Sequence, residues 1–140
     1  MYHYTESGLR NVWLTSGYTV DKEDGSVAIQ DVEGLHKLIG KMLARRPKLT
    51  GSELRFLRKE MELSQRALSA LLGTSEQSVS LWERRGSVPK WSNRLVKAIY
   101  LEQATGNVKI REMIERHLSL DRDRHNKLTL ERDTVWKEAA

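Results

Sequence analysis

The chain has 140 residues, 39% of them apolar, and its 24 Lys/Arg against 19 Asp/Glu give a net charge of +5; this suits one compact domain with appendages and excludes a disordered tail. Cysteine is absent, which excludes disulfides and thiolate metal sites and fits a reducing cytoplasm. No apolar run approaches the roughly 20 residues of a bilayer span, and MYHYTESGL has neither region of a secretory signal, so the expectation is a cytoplasmic protein without a membrane partner.

Residues 1–30 read as short strands. Tyr2 and Tyr4, Asn11–Leu14, Tyr18–Val20 and Val27–Ile29 are β-rich pieces parted by turn signals at Ser7-Gly8, Ser16-Gly17 and Asp24-Gly25. Asp24-Gly25 suits a hairpin turn with positive φ. Asp31 then caps a helix in which Val32, Leu35, Leu38, Ile39, Met42 and Leu43 recur at helical spacing. Pro47 ends it, because a residue before proline is pushed out of the α region. The basic link Arg45-Arg46-Pro47-Lys48 marks a boundary between residues 1–46, a dimerisation or partner module, and a central domain over 47–120.

Thr50-Gly51-Ser52-Glu53 is a capping box. The helix it opens buries Leu54, Leu57 and Met61. Ser64 caps a second helix with Leu68, Leu71 and Leu72 inside, and Thr74 or Ser75 caps a third with Val79 and Trp82 inward. After Gly86 and Pro89 a fourth helix runs to about Ala104, burying Leu95, Ile99 and either Leu101 or Tyr100, and Gly106 closes it. Asn107 caps a fifth, with Ile110, Met113, Ile114, His117 and Leu118 on one face. Residues 121–140 are a charged linker and a hairpin, Leu128–Glu131 with Thr134–Lys137 around Arg132-Asp133. The apolar residues left over at the two ends (Tyr2, Tyr4, Trp13, Val135 and Trp136) are expected to pack together as a small sheet.

The charge is uneven along the chain. Residues 1–40 hold three Lys/Arg against six Asp/Glu (−3), residues 41–100 thirteen against five (+8), and residues 101–140 eight against eight. The basic excess lies where a polyanion-binding surface would need it, although a plain solvated face satisfies the same counts. Parts for catalysis are missing. His3, His36, His117 and His125 show no ligand spacing, and no phosphate loop, nucleophile elbow or dinucleotide fingerprint occurs. The chain therefore reads as a non-enzyme without metal or cofactor, with His36 and His117 as helix-face or core residues.

The stretch Leu63 to Pro89 holds two short helical patterns joined by a Gly-Thr-Ser turn, with Ala67 and Leu71 facing Val79 and Trp82. Gly73 stands where a tight helix end favours a left-handed residue. With Leu63-Ser64-Gln65 and Leu72-Gly73-Thr74-Ser75-Glu76-Gln77-Ser78-Val79, this stretch resembles the helix-turn-helix family of phage repressors and Cro proteins, the XRE-like regulators, over roughly Leu49 to Leu101. The resemblance implies a mainly α fold, a five-helix helix-turn-helix domain with a small β appendage from the N-terminal strands and the C-terminal hairpin. It implies a transcriptional regulator that binds a double-stranded DNA operator as a homodimer, most simply an autorepressor on an inverted repeat.

Carried onto this chain, the family pattern implies base reading by Glu76, Gln77, Ser80, Leu81 and Arg84. Gln77 can pair with an adenine edge, Arg84 can reach a guanine or a phosphate, and Leu81 can touch a thymine methyl. Glu76 departs from the common pattern, since a carboxylate there repels phosphate unless it accepts from a cytosine or caps the helix. Ser64, Gln65, Ser75, Ser78, Arg85 and Lys90, with Trp91 beside them, would hold phosphates. Arg58 and Glu83 match family positions that form a structural ion pair, and Trp82 reads as core. Separately, YHYTESGLRNVWL followed by a helix and this motif resembles the architecture of MqsA-like antitoxins. Many of those bind zinc through cysteine pairs that this chain lacks, so that resemblance implies a partner module and no metal. On it rests an alternative function, an antitoxin that neutralises a toxin protein and autoregulates its operon.

Overall fold

The computed structural model describes residues 1–106, 112, 130–132 and 134–138. Among them, strands β1 (Tyr2–His3), β2 (Trp13–Leu14), β3 (Tyr18–Val20) and β4 (Val27–Ile29) lead into helix α1 (Val32–Ala44). Helices α2 (Gly51–Glu60), α3 (Gln65–Leu72), α4 (Glu76–Arg85) and α5 (Lys90–Ala104) follow, and β5 (Leu130–Arg132) and β6 (Trp136–Glu138) come last. The fold is mainly α, with small antiparallel strand pairs towards both ends. The apolar face expected from Ile110 to Leu118 and the charged linker after it lie outside the described residues.

Each strand pair is local. Tyr2 pairs with Leu14 and His3 with Trp13. Tyr18 to Val20 run against Ile29 to Val27, with Gly25 at positive φ where the Asp24-Gly25 signal placed the turn. Leu130 faces Glu138 and Arg132 faces Trp136, so Arg132 belongs to the ladder and not to the turn in which it was expected. Among the described residues the three ladders stay separate. The expectation of one small sheet uniting both ends is therefore corrected: Tyr4 is drawn into the helical core, whereas Trp13, Val135 and Trp136 remain exposed. Strands of two or three residues, each closed by its own turn, offer too short an edge to recruit another ladder.

The helices begin where side chains can satisfy orphan amides. Asp31, at φ +49°, accepts from the Gly34 amide at 3.1 Å. Thr50 and Glu53 complete the capping box in both directions, with Thr50 N–H donating to Glu53 at 2.9 Å and Glu53 N–H to Thr50 Oγ1 at 3.2 Å. Ser64 caps α3, and of the two candidates for α4 it is Ser75 that accepts from the Ser78 amide. Gly73 and Gly86 end α3 and α4 in the left-handed conformation, which a Cβ would strain.

One core runs from Tyr4 and Leu9 through Ile39 and Leu43 of α1 to Leu54, Leu57, Leu68, Val79, Val96 and Ile99. Gly40 lets α1 approach α5 so closely that a Cβ there would overlap the Tyr100 ring. Two helices bury less than their periodicity suggests. Val32, Leu38 and Met42 of α1, and Leu95 and Leu101 of α5, are exposed. In α5 the inward positions are Val96, Ile99 and Tyr100; Leu95 lies about 100° round the helix from Val96, on an exposed flank. No helix of the described residues is long and apolar enough to cross a membrane.

Candidate nucleic-acid interface

The interface is built on α3 and α4, and its foundation is a buried charge cluster beneath them. Arg58 of α2 donates from Nε to Glu83 Oε2 at 2.7 Å and from a terminal nitrogen to Glu83 Oε1 at 3.0 Å. Its other terminal nitrogen donates to the Leu63 carbonyl at 2.9 Å. The Glu83 carboxylate also accepts from Gln65 Nε2 at 3.2 Å, at the first residue of α3. One carboxylate thus ties α2, α3 and α4 together, and both charges of the pair are nearly buried. In such a site the two-bond fork fixes orientation as well as distance.

Backbone contact completes the brace. A Cβ on Gly51 would lie 2.7 Å from the Trp82 carbonyl oxygen and closer still to that of Glu83. Only a glycine lets the start of α2 pass against the last turn of α4. The start of α2 is itself pinned from two other directions. Arg46 donates to buried Glu53 at 2.8 Å, and the Leu49 amide donates to Asn93 Oδ1 of α5 at 3.1 Å.

From this base α4 presents its outer side. Val79 is fully buried against α3, and Trp82 is half-buried, edge-on to Trp91 with ring centroids 5.9 Å apart. Positions 77, 80, 81 and 84 occupy the opposite arc of the helix, whereas 76 lies on the flank one turn before Val79. Glu76, Gln77, Leu81 and Arg84 are exposed, with Ser80 half-buried. The structure thus places Gln77, Ser80, Leu81 and Arg84 on one side of α4 and Glu76 on its flank. Glu76 lies in the first turn, where its charge meets the positive helix end, while Ser75 supplies the capping oxygen.

The residues expected to hold phosphates are spread around that surface. Ser64 and Ser75 stand at the N-termini of α3 and α4 and are engaged as caps, and the Ser75 and Ser78 hydroxyls lie 2.9 Å apart. Gln65 has one N–H of its side-chain amide committed to Glu83, so the second N–H and the backbone amides of the α3 start are what it offers a phosphate. Arg85 is exposed at the C-terminal end of α4, and Lys90 and Trp91 are exposed at the start of α5, which has no side-chain cap. Sequence reasoning missed the Gly51 contact and the Gln65 to Glu83 bond. Gly51 carried one signal, a glycine inside a capped helix where no turn requires it; the bond joins residues 18 apart in the chain and left none.

The histidine nearest to a chemical constellation is structural in its surroundings. Tyr4 Oη lies 2.8 Å from His36 Nε2, and His36 Nδ1 lies 2.6 Å from Glu60 Oε1. A neutral ring accepts from the tyrosine and donates to the carboxylate, so the N-terminal segment, α1 and α2 are clasped through one imidazole.

Residues 54–90 match the helix-turn-helix family, from within α2 to the first residue of α5. No curated protein and no solved structure matches the chain. The match identifies this segment as a helix-turn-helix of the kind that binds DNA in transcription regulators.

Proposed function

We propose, from the premise that residues 54–90 form an XRE-like helix-turn-helix, that the chain is a homodimeric autorepressor reading an inverted repeat in double-stranded DNA. The observation that carries this reading is the exposed row Gln77, Leu81 and Arg84 on a helix whose inner side is locked by Arg58, Glu83 and Gly51. Gln77 reads an adenine edge and Arg84 a guanine or a phosphate, while Ser64, Gln65, Ser75, Ser78, Arg85 and Lys90 set the register on the backbone. One such module buries too little surface for strong discrimination, so two copies engage half-sites about one helical turn, roughly 34 Å, apart. The +8 balance of residues 41–100 supplies the steering charge.

Selection of binders from a randomised duplex pool tests this. The expected result is enrichment of two inverted copies of one short motif at helical-turn spacing. Enrichment of a single unrepeated motif would contradict the dimer, and no enrichment would contradict sequence-specific reading.

A second reading is favoured by the acidic side of the molecule. Residues 1–40 carry −3, and Asp21, Glu23 and Asp24 are exposed at the β3–β4 tip. Such a tip suits a basic partner protein, as an antitoxin would need. Co-expression with the adjacent open reading frame tests it: a co-purifying complex that rescues growth supports it, and a neighbour without toxicity contradicts it.

A further inference from the structure

Among the described residues the chain holds two exposed apolar surfaces. The first is a cleft of about 250 Å³ between the N-terminal segment and α1, lined by Val12, Trp13, Leu35, Leu38, Met42 and Arg46 among others. Its outer members stay open to solvent, with Trp13 55%, Leu38 57% and Met42 54% exposed. The Trp13 ring is nonetheless held in place, stacked on His3 with centroids 4.0 Å apart and planes 8° apart. Small-molecule pockets run to roughly 300–1,000 Å³. This cleft is the size for side chains of a polypeptide.

The second surface is the β5–β6 hairpin, where Leu130, Val135 and Trp136 are 61%, 67% and 68% exposed. An isolated two-stranded hairpin is marginal in water and needs a third element against its apolar side. Charge fits as well. Arg46 is the one charged residue lining the cleft, while residues 130–138 hold three acidic and two basic side chains.

We propose that the cleft receives the β5–β6 hairpin of a second copy of this chain, exchanged reciprocally about a twofold axis. The proposal rests on the homodimer reading above and names its interface. Size argues for the exchange: each aromatic ring buries about 150–250 Å², so one hairpin in one cleft falls short of the roughly 1,200–2,000 Å² of a stable interface. Two symmetric contacts, each with two indoles, Leu38, Met42 and Leu130, reach it. No residue of α4 lines the cleft.

The absence of cysteine makes the test clean. Full-length Met42→Cys and Trp136→Cys chains, one tagged and one not, are mixed and mildly oxidised, alongside the double variant Met42→Cys/Trp136→Cys. The expected product is the mixed disulfide between the two single variants, in clear excess over either like-with-like product. In the double variant, covalent dimers predominate over internally closed monomers. Like-with-like Met42 products would instead indicate cleft-to-cleft pairing and overturn the proposal, as would closed monomers or a dimer without any mixed disulfide. A second measurement uses no cysteine: Leu38→Glu/Met42→Glu should lower the molar mass by sedimentation from dimer to monomer, and a persisting dimer overturns the proposal. Gel shifts run on the same proteins keep the two readings apart. DNA binding without the mixed disulfide overturns this interface alone, whereas the mixed disulfide without DNA binding overturns the regulator reading alone.

Discussion

At the Glu83 carboxylate three helices meet, so disturbing it reaches well beyond one side chain. Removing one partner leaves Arg58 nearly buried and unpaired, which typically costs about 3–5 kcal/mol. Glu83→Ala is therefore expected to lower stability by about that amount in urea unfolding, whereas Arg58→Met/Glu83→Leu together should cost much less than the two single changes added. Simple additivity would show that the pair is not coupled. On the exposed side of α4 the prediction differs in kind. Gln77→Ala should relax preference at one base pair at a cost of about 1–3 kcal/mol, while Lys90→Ala should weaken all duplexes alike and reduce the salt slope by about one. Binding curves on single-substituted duplexes separate these outcomes. Residue roles of this kind were partly legible in the sequence, because Arg58 and Glu83 sit at positions with a motif to match. Gln65 was legible only as a surface residue; its bond to Glu83 depends on how α3 and α4 cross.

Elements were legible wherever a local signal starts or stops them. The capping box at Thr50, the serines ahead of α3 and α4 and the glycines after them act within one turn, so sequence alone locates them. The sides that helices bury were less legible, because burial depends on which neighbour arrives. Leu38, Met42 and Leu95 satisfy helical spacing, yet no described element covers them. Gly51 is the sharpest test at this scale. Gly51→Ala adds a Cβ where the Trp82 carbonyl oxygen is 2.7 Å away, and overpacking of that sort costs about 1–3 kcal/mol. Because the strain falls on the last turn of α4, DNA affinity should drop as well. Thr50→Ala removes a cap on the same helix at about 1 kcal/mol, without pushing α4. Loss of stability with unchanged affinity in Gly51→Ala would contradict the brace between α2 and α4.

The whole molecule joins the N-terminal segment to the helical core through Tyr4, His36 and Glu60, a long-range arrangement that no local pattern announces. Burial raises the hydroxyl pKa of Tyr4 and of Tyr100 above the ordinary 10.0, and nearby carboxylates add to the effect. The folded chain holds these protons more tightly than the unfolded chain. Their contribution to stability is complete below the unfolded value and is lost as pH rises through it towards the folded values. Unfolding measured from about pH 9 to about pH 11 should show a decline that shrinks in Tyr4→Phe/Tyr100→Phe; an unchanged decline would place its origin elsewhere. The central claim concerns the other side of the molecule, where α4 exposes Gln77, Leu81 and Arg84. Fluorescence anisotropy of the full chain with duplex from upstream of its own gene, against a scrambled duplex, over a salt series, tests it most directly. The account predicts tighter binding to the upstream duplex at every salt concentration, by a factor on the order of 10³ or more, with affinity for both falling steeply as salt rises. Equal affinity for the two duplexes throughout the series would contradict it.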